Sequence, residues 1–301
     1  MPTRKPIVAG QFYPGDRDEC LAELRASLEE ANGLSPVPPG APGSVPASIV
    51  AGIVPHAGWM FSGAVAALAF RAIRSAAATV ETFVLCGTAH GYFGSEPADD
   101  DSDAWECPLG SVAVDLSLRE QLVQRGVVRL DRAAHRREHS IEVQVPFVAH
   151  LFPQAKILPV TVPPTHAAIA LGEALAEAMA ERPAAGGRMV CIASTDLTHY
   201  GPRYGFTPMG NGSEGLHWAS EVNDRAFIDL AVDLDAEGVL ATGIENGNAC
   251  GPGAAAAAVA AARRLGVQRG CLLAHTTSNE VMLRKMGSAG RDSVGYAAIV
   301  F

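Results

Sequence analysis

The sequence predicts an α/β fold, a single three-layer domain in which a mixed, mostly parallel sheet carries helices on both faces. Short apolar runs of β-strand composition alternate along the chain with longer segments of helical periodicity. The chain has 301 residues, 48% of them hydrophobic, which is enough for one large core, and no repeat of fixed period divides it. We therefore expect one domain over residues 1–301.

The elements are predicted in chain order from these patterns. A helix over 19–31 precedes a Pro/Gly-rich surface loop at 34–47, and too few residues come before that loop to form a separate domain. A short acidic run at 99–103 matches no calcium-loop spacing and is expected to be a solvated loop. The remaining predicted elements are a strand at 48–54, a helix at 62–77, a strand at 83–86, helices at 116–124 and 141–151, a strand at 156–161, a helix at 165–180, a strand at 188–193, helices at 218–231 and 252–265, and strands at 271–277 and 294–300.

Composition excludes several classes of function. With 23 basic and 32 acidic residues the formal net charge is −9, and no Lys/Arg cluster offsets it, so nucleic-acid binding is not expected. No apolar stretch is long enough to span a membrane, and the basic N-terminus lacks a signal-peptide core, which predicts a cytoplasmic protein. None of the six cysteines forms a Cys-x-x-Cys pair, so a disulfide framework is not expected, and most should be small core residues.

Histidines follow the ends of three apolar runs. His56 comes after the run ending at Val54, His90 after Cys86-Gly87, and His199 shortly after Ser194. Ligands of open α/β sheets bind beyond the carboxyl ends of the strands, so three imidazoles there indicate a metal site or an acid/base site. Each histidine alone could also be an ordinary turn residue. His56 in particular could simply cap a turn before a helix that Ser62 would cap.

Asp196 and His199 form an Asp-x-x-His pair after a predicted strand. A carboxylate at this spacing can orient an imidazole, either as an acid/base pair or behind a metal ligand. An aspartate that only caps the next turn would give the same pattern.

Cys250 directly precedes the helix predicted to begin near Pro252. The positive end of a helix dipole favours the thiolate, which is both the nucleophilic and the metal-binding form of cysteine. A thiol buried at a loop remains an equally good interpretation of this feature alone.

A competing motif lies at His135-Arg136-Arg137-Glu138-His139, which matches the His-x-x-Glu-His pattern of a class of zinc peptidases. That motif needs a helix with an apolar stripe, whereas this segment is polar and basic. We therefore expect a loop entering a helix, with Glu138 and His139 pointing into the site from its rim.

Together these segments resemble the Memo family, the B component of the AmmeMemoRadiSam set, which is similar in fold to the class III extradiol ring-cleaving dioxygenases and their B-subunit-like domain. The resemblance runs nearly end to end, and the Glu-His-Ser-Ile-Glu block is its most specific part. The matching stretches are 9–14, 55–59, 87–90, 138–147, 194–201, 248–251 and 295–296.

The resemblance implies a metal centre. By position, His56, His90 and Cys250 would be the metal ligands and His199 the acid/base. In the dioxygenases two histidines and a carboxylate hold Fe(II), and in Memo-like proteins a cysteine replaces the carboxylate. Fe(II) is the first expectation, with copper or zinc as alternatives, since a thiolate is a softer ligand.

The resulting hypothesis is a metal-dependent redox enzyme acting on a small chelating or aromatic substrate. His199, oriented by Asp196, would move the proton, with His139 near the substrate. Two alternatives stay open, a non-catalytic protein that binds a small molecule or peptide, and a thiol or hydrolytic enzyme with Cys250 as nucleophile. The sequence leaves the substrate and any homo-oligomer undetermined. The residues expected to contact substrate are Phe12, Tyr13, Trp59, Tyr200 and Glu138.

Overall fold

The structure is a computed structural model that describes residues 2–34, 45–182 and 188–301. Most of the loop predicted at 34–47 lies outside the described residues. The strands are β1 (Thr3–Arg4), β2 (Ala51–Val54), β3 (Thr82–Gly87), β4 (Ala98–Asp99), β5 (Ala104–Cys107), β6 (Gly110–Ala113), β7 (Arg129–Leu130), β8 (Lys156–Thr161), β9 (Met189–Ser194), β10 (His199–Tyr200), β11 (Cys271–Thr277) and β12 (Ser293–Val300). The helices are α1 (Arg17–Glu30), α2 (Trp59–Ala76), α3 (Leu116–Gln124), α4 (Arg132–His135), α5 (Val145–Leu151), α6 (Ala167–Glu181), α7 (Ser213–Trp218), α8 (Asp224–Val232), α9 (Ala236–Asn246), α10 (Pro252–Arg264) and α11 (Ser278–Met286).

The larger sheet is mixed, with a parallel centre. Its described strands follow the order β10-β12-β2-β9-β3-β8-β4-β7, and β11 pairs with β12. The neighbours β2, β9, β3 and β8 are all parallel, whereas β12 runs antiparallel to β2, β10 and β11. The carboxyl ends of β2, β9 and β3 are therefore adjacent on one edge of the sheet.

Helices cover this sheet in two groups. Helix α10 packs on β2, β9 and β3 and is backed by α6 and α9, while α2 packs on β2 and β12 and is backed by α1 and α5. Every residue of β2, β3 and β9 is buried, as expected for strands covered on both faces. The predicted α/β fold, a single three-layer domain with a mixed sheet, is confirmed.

A second, three-stranded sheet of order β1-β5-β6 was not predicted from the sequence. Strand β1 has only two residues, and β5 and β6 have four each, which is too short for a clear alternating pattern. The guanidinium of Arg4 lies over the ring of Trp105 at 4.0 Å, so this small sheet holds the N-terminal segment in place.

Several element boundaries differ from the prediction. Helix α2 begins at Trp59, and Ser62 does not cap it, since the Ser62 hydroxyl donates to the Ala57 carbonyl and Gly58 is the N-cap. The helix predicted at 218–231 is instead α7, a π-helical turn at 219–223 and α8. Helix α11 was missed, although Thr277 and Glu280 form a capping box that the sequence displays.

The prediction that 99–103 is a solvated loop was wrong. Asp99 and Asp100 are buried. Asp99 forms an ion pair with Arg119 at 3.0 Å, and Asp100 accepts hydrogen bonds from the backbone and hydroxyl of Ser102. Partners distant in sequence or within the turn itself therefore compensate the buried charge.

Two further expectations can be compared with the structure. Cys86 and Cys191 are buried in β3 and β9, as predicted for small core residues. Among the described residues, no helix combines the length and apolar character that crossing a bilayer requires.

Candidate metal centre

Three ligand-type side chains meet at the edge of the sheet where β2, β9 and β3 end. His56 follows β2, His90 follows β3, and Cys250 lies in the loop before α10. One ligand atom from each of the three residues lies within 4.8 Å of the others. The sequence predicted that His56 and His90 would share this edge, and the fold brings them and Cys250 together.

His56 is buried and held on both sides of its ring. Its Nε2 atom lies 3.3 Å from the Sγ of Cys250, and its Nδ1 atom lies 3.2 Å from the hydroxyl of Ser194. Its backbone N–H donates to the carboxylate of Asp196 at 2.7 Å. The ring is therefore fixed with one nitrogen toward the thiol and the other toward the end of β9.

His90 is oriented by Glu138. The Nδ1 atom of His90 lies 3.2 Å from Glu138 Oε2, and the His90 backbone N–H donates to the same oxygen. Glu138 also accepts hydrogen bonds from the backbone N–H groups of His139 and Ser140. Since the carboxylate occupies Nδ1, Nε2 is left as the ligand nitrogen of His90.

Cys250 is half-buried, and its sulfur accepts a hydrogen bond from the backbone. The N–H of Asp196 donates to its Sγ at 3.3 Å, whereas the hydroxyls of Thr88 and Thr195, 3.8 Å and 3.7 Å from the sulfur, donate their protons to the carbonyls of Ser194 and Asp196. A donor directed at sulfur stabilises a thiolate, which is the form that binds metal.

The charges of the three residues are coupled. Burial raises the pKa of Cys250, but the charge and hydrogen bond of His56 outweigh it and lower that pKa to about 5. Burial lowers the pKa of His56, but Cys250 and Asp196 raise it to about 9. For His90, burial again lowers the pKa, while Cys250 and Glu138 raise it to about 10. Without metal, the arrangement is therefore a thiolate between two imidazolium rings.

His139 lies next to this centre. Its ring stacks on His90 with centroids 4.7 Å apart, and the ring of Phe12 packs against His139 with centroids 4.6 Å apart. Burial and the positive charges of His56 and His90 lower the pKa of His139 to about 4. His90, Glu138 and His139 also form a second group whose ligand atoms lie within 4.8 Å of one another. His139 is thus the uncharged imidazole of the cluster.

His199 lies in the same cavity, but Asp196 does not orient it. The Nδ1 atom of His199 is 3.0 Å from the Leu197 carbonyl, which must accept its proton. The Asp196 carboxylate instead accepts from the backbone N–H groups of His56 and Ala57. The expectation that Asp196 holds the His199 ring is therefore corrected, and Asp196 holds the loop that carries His56.

A cavity of about 540 Å³ opens onto the cluster. Predicted site residues that line it are Phe12, His56, His90, His139, Asp196 and His199. Sequence reasoning missed Tyr204, Met282 and Tyr296, which lie on the short turn after β10, on α11 and on β12. Tyr296 was noted only within the closing Gly-Tyr pair of the resemblance. Tyr204 and Met282 belong to segments beside β10 and within α11, neither of which was predicted from the sequence.

Four residues expected to contact substrate lie elsewhere. The hydroxyl of Tyr13 donates to Glu142, that of Tyr200 to the Gly210 carbonyl, and the indole N–H of Trp59 to the Val143 carbonyl. All three aromatic rings are buried in the core. Glu138 is buried behind His90 and is not part of the cavity wall. These side chains support the site from the protein interior and do not line the cavity.

The zinc-peptidase interpretation of the segment at 135–139 does not hold. His135 ends α4, and its Nε2 lies 2.7 Å from the Ala98 carbonyl. Glu138 and His139 follow the helix in a non-helical segment, so the two histidines do not share a helix face. The expected loop at this position is confirmed, while the rim position holds for His139 and not for Glu138.

The fold and the cluster define a class of protein, a three-layer α/β protein with a His₂Cys group of metal-ligand type at the carboxyl edge of its sheet. The sequence model of the Memo-like protein family matches residues 4–300. The chain is 37% identical to a MEMO1 family protein of Thermococcus onnurineus over 309 aligned positions, covering 99% of each chain. It is 34% identical to one of Methanopyrus kandleri, covering 99% of this chain and 98% of the relative, and 33% identical to one of Methanosarcina mazei, covering 100% and 99%. The chain belongs to the Memo-like family.

Proposed function

We propose that this protein is a metal-dependent oxidoreductase whose metal is held by His56, His90 and Cys250 and whose substrate is a small chelating or aromatic molecule. The observation that carries the proposal is the convergence of two imidazole nitrogens and one thiol within 4.8 Å of one another, with both imidazoles lining a cavity. Three protein ligands leave coordination positions open, which is the arrangement of catalytic rather than structural sites.

The donor set fits a transition metal. Imidazole suits iron, copper and zinc, and thiolate favours the softer members of that group. Each ligand also has a partner behind it: Ser194 behind His56, Glu138 behind His90, and the N–H of Asp196 beside Cys250. Such partners orient ligands and tune the metal.

Fe(II) is our first candidate, and copper and zinc follow. Two histidines and one carboxylate with open positions are typical of non-haem Fe(II) oxygenases, and Cys250 would take the place of the carboxylate. When bound, the metal would supply redox chemistry and a positive charge for the oxygen atoms of a chelating substrate. A thiolate in place of a carboxylate shifts the preference toward copper or zinc and is itself open to oxidation.

The side chains around the cavity have separate tasks. His199 donates through Nδ1 to Leu197, which leaves its Nε2 as the nitrogen that takes up or gives a proton. His139, kept uncharged beside the two ligand histidines, accepts a hydrogen bond from a substrate hydroxyl. Phe12 and Tyr296 provide apolar walls that bind an aromatic or aliphatic substrate body and exclude water.

Metal analysis of anaerobically purified protein tests the proposal. We expect about one bound transition metal per chain, most of it lost in His56→Ala while the fold survives. His166→Ala is the matched control, because the His166 side chain is exposed and pairs with Glu237 on the surface. Retention of full metal content in His56→Ala would remove the core of the proposal.

A second function has one specific observation in its favour. His56 Nε2 lies 3.3 Å from Cys250 Sγ, within reach of a nucleophile–base pair. Thiol catalysis would then proceed in metal-free protein and be inhibited by added Zn²⁺. Activity with model esters that needs Cys250 and is highest after chelation would favour this alternative over the metal enzyme.

A further inference from the structure

A buried hydrogen-bond network lies behind His56 and links three separate segments. Gln144 Nε2 lies 2.8 Å from the Pro55 carbonyl and 3.0 Å from the hydroxyl of Ser194. The Ser194 hydroxyl in turn lies 2.7 Å from the Ser140 carbonyl and 3.2 Å from His56 Nδ1. Gln144, Ser140, Ser194 and His56 are all buried, so water does not compete for these contacts.

The position of each proton in this network follows from its neighbours. The Pro55 carbonyl can only accept, so the group that faces it is the NH₂ of the Gln144 amide, which also donates to Ser194. The Oε1 atom of Gln144 accepts no hydrogen bond from the described residues, so the amide is held through its NH₂ group.

Ser194 has one proton to donate and two neighbours besides Gln144. The Ser140 carbonyl can only accept, and at 2.7 Å an oxygen pair without a proton between them would repel, so the Ser194 proton points there. Ser194 Oγ is then left only as an acceptor toward His56, and Nδ1 of His56 must carry a proton.

We infer that Ser194 and Gln144 are positioning residues that keep the proton of His56 on Nδ1 and thereby present Nε2 as its metal-binding nitrogen. The consequence for metal binding rests on the proposed function, whereas the proton placement itself does not require a metal. With the proton held on Nδ1, Nε2 is the nitrogen of this ring that faces Cys250 and is available to a metal ion.

The two histidine ligands therefore differ in the group that accepts the hydrogen bond from Nδ1. His90 donates to the carboxylate of Glu138, which carries a negative charge, whereas His56 donates to a neutral hydroxyl fixed by an amide. A carboxylate makes its histidine more basic than a hydroxyl does. The site thus has one strongly and one weakly donating imidazole.

The test combines Zn²⁺ binding with NMR of ¹⁵N-labelled histidine rings in the zinc-loaded protein. We expect a His56 Nδ1–H signal protected from exchange, and a Zn²⁺ affinity that falls about 10–100-fold in Ser194→Ala, as is typical when a partner of a metal-bound histidine is removed. Ser194→Thr keeps the hydroxyl and should restore both the signal and the affinity.

Ser102→Ala is the matched control. Ser102 is a buried serine whose hydroxyl donates to the Asp100 carboxylate at 3.0 Å, on a different loop from the one that carries His56. We expect it to lower stability while Zn²⁺ affinity stays that of the parent protein. If Ser194→Ala does not fold, Gln144→Met removes the donor to Ser194 and should weaken Zn²⁺ binding in the same direction.

The outcomes separate the inference from the proposed function. Parent protein that binds no Zn²⁺ or other transition metal contradicts the function, and a neutral His56 ring in metal-free protein that carries its proton on Nδ1 and not on Nε2 still supports the proton placement. Parent protein that binds metal while both Ser194→Ala and Gln144→Met bind it equally well overturns the inference. An unprotonated His56 Nδ1 in either the metal-free or the zinc-loaded protein also overturns the inference.

Discussion

Asp196 and Cys250 are joined by two hydrogen bonds. The N–H of Cys250 donates to the Asp196 carbonyl at 3.1 Å, and the N–H of Asp196 donates to Cys250 Sγ at 3.3 Å. The Asp196 carboxylate meanwhile accepts from the backbone N–H of His56. One residue at the end of β9 therefore ties together the loops that carry two of the three ligand-type side chains.

Substitution of Asp196 should weaken metal binding. In Asp196→Ala the buried N–H groups of His56 and Ala57 lose their acceptor, which should cost about 1–3 kcal/mol of unfolding free energy. Metal affinity should fall with it, while Asp196→Asn, which keeps an acceptor oxygen, should recover most of both. Zn²⁺ titration and urea denaturation measure the two effects. If Asp196→Ala kept its metal affinity and lost only turnover, the original view that Asp196 orients His199 would be restored.

The sequence was enough to predict the framework of the site and insufficient for its supporting contacts. Buried apolar runs that end in His56 and His90 predict which edge of the sheet they reach, because parallel strands end together. The partners of these rings come from far along the chain, since Ser194 lies 138 positions from His56 and Glu138 lies 48 from His90. Such pairs depend on the paths of loops, which no local pattern specifies.

The aromatic residues illustrate a second limit. Phe12 and Tyr13 are adjacent in sequence, yet Phe12 lines the cavity and Tyr13 donates to Glu142 in the core. Composition alone predicts an apolar environment for both. Only the buried carboxylate of Glu142, which also accepts from the backbone N–H groups of Ile7 and Val8, determines the direction in which Tyr13 points.

The negative charge of Glu138, in addition to its hydrogen-bonding geometry, should strengthen metal binding. Burial raises the pKa of Glu138, but hydrogen bonding and the charge of His90 outweigh it and hold that pKa well below its usual range. Glu138→Gln keeps hydrogen-bonding capacity and loses the charge, so metal affinity should fall about 10–100-fold. Chelator competition measures this, with exposed Glu237→Gln as the control. A metal affinity of Glu138→Gln equal to that of the parent protein would show that the charge of Glu138 does not contribute to metal binding.

Alkylation of Cys250 should depend on pH in an unusual way. The pKa of about 5 makes Cys250 a thiolate above that pH in metal-free protein. Its rate with iodoacetamide should therefore change little between pH 6 and 8, whereas an ordinary thiol accelerates about 50–100-fold over that range. Below pH 5 the rate should fall as the thiolate is protonated. Bound Zn²⁺ should protect the residue.

Peptide mass mapping identifies the alkylated residue, and Cys250→Ser provides the blank. The buried thiols Cys20 and Cys107, whose pKa values burial raises to about 12 and 11, should not react in folded protein. A Cys250 rate that rises steeply from pH 6 to 8 would contradict the charge coupling with His56.

Acid should destabilise the protein partly through Asp115. This carboxylate caps α3 and accepts hydrogen bonds from Thr82 and Arg182, both at 2.7 Å. Burial raises its pKa, but these hydrogen bonds outweigh it and lower the pKa below its ordinary value. Since the folded pKa is the lower one, the stabilisation is present above about pH 4 and is lost as pH falls through the folded value.

Asp115→Asn should therefore cost about 1–3 kcal/mol at pH 7, and its difference from the parent protein should shrink toward pH 3. Urea denaturation at both pH values measures the difference. Asp18→Asn is the control, because the Asp18 side chain is 89% exposed, and it should leave the unfolding free energy unchanged. A destabilisation by Asp115→Asn that is the same at both pH values would exclude a contribution from the carboxylate charge.

Tyr13 and Tyr200 should behave as structural residues rather than as substrate contacts. Each hydroxyl donates a hydrogen bond away from the cavity, from Tyr13 to Glu142 at 3.0 Å and from Tyr200 to the Gly210 carbonyl at 2.7 Å. Tyr13→Phe and Tyr200→Phe should each lower the unfolding free energy by about 1 kcal/mol, because each variant loses one side-chain hydrogen bond. Zn²⁺ affinity should stay at the parental value in both, since neither ring borders the cavity. Weakened Zn²⁺ binding by either variant with unchanged stability would return that tyrosine to the wall of the site.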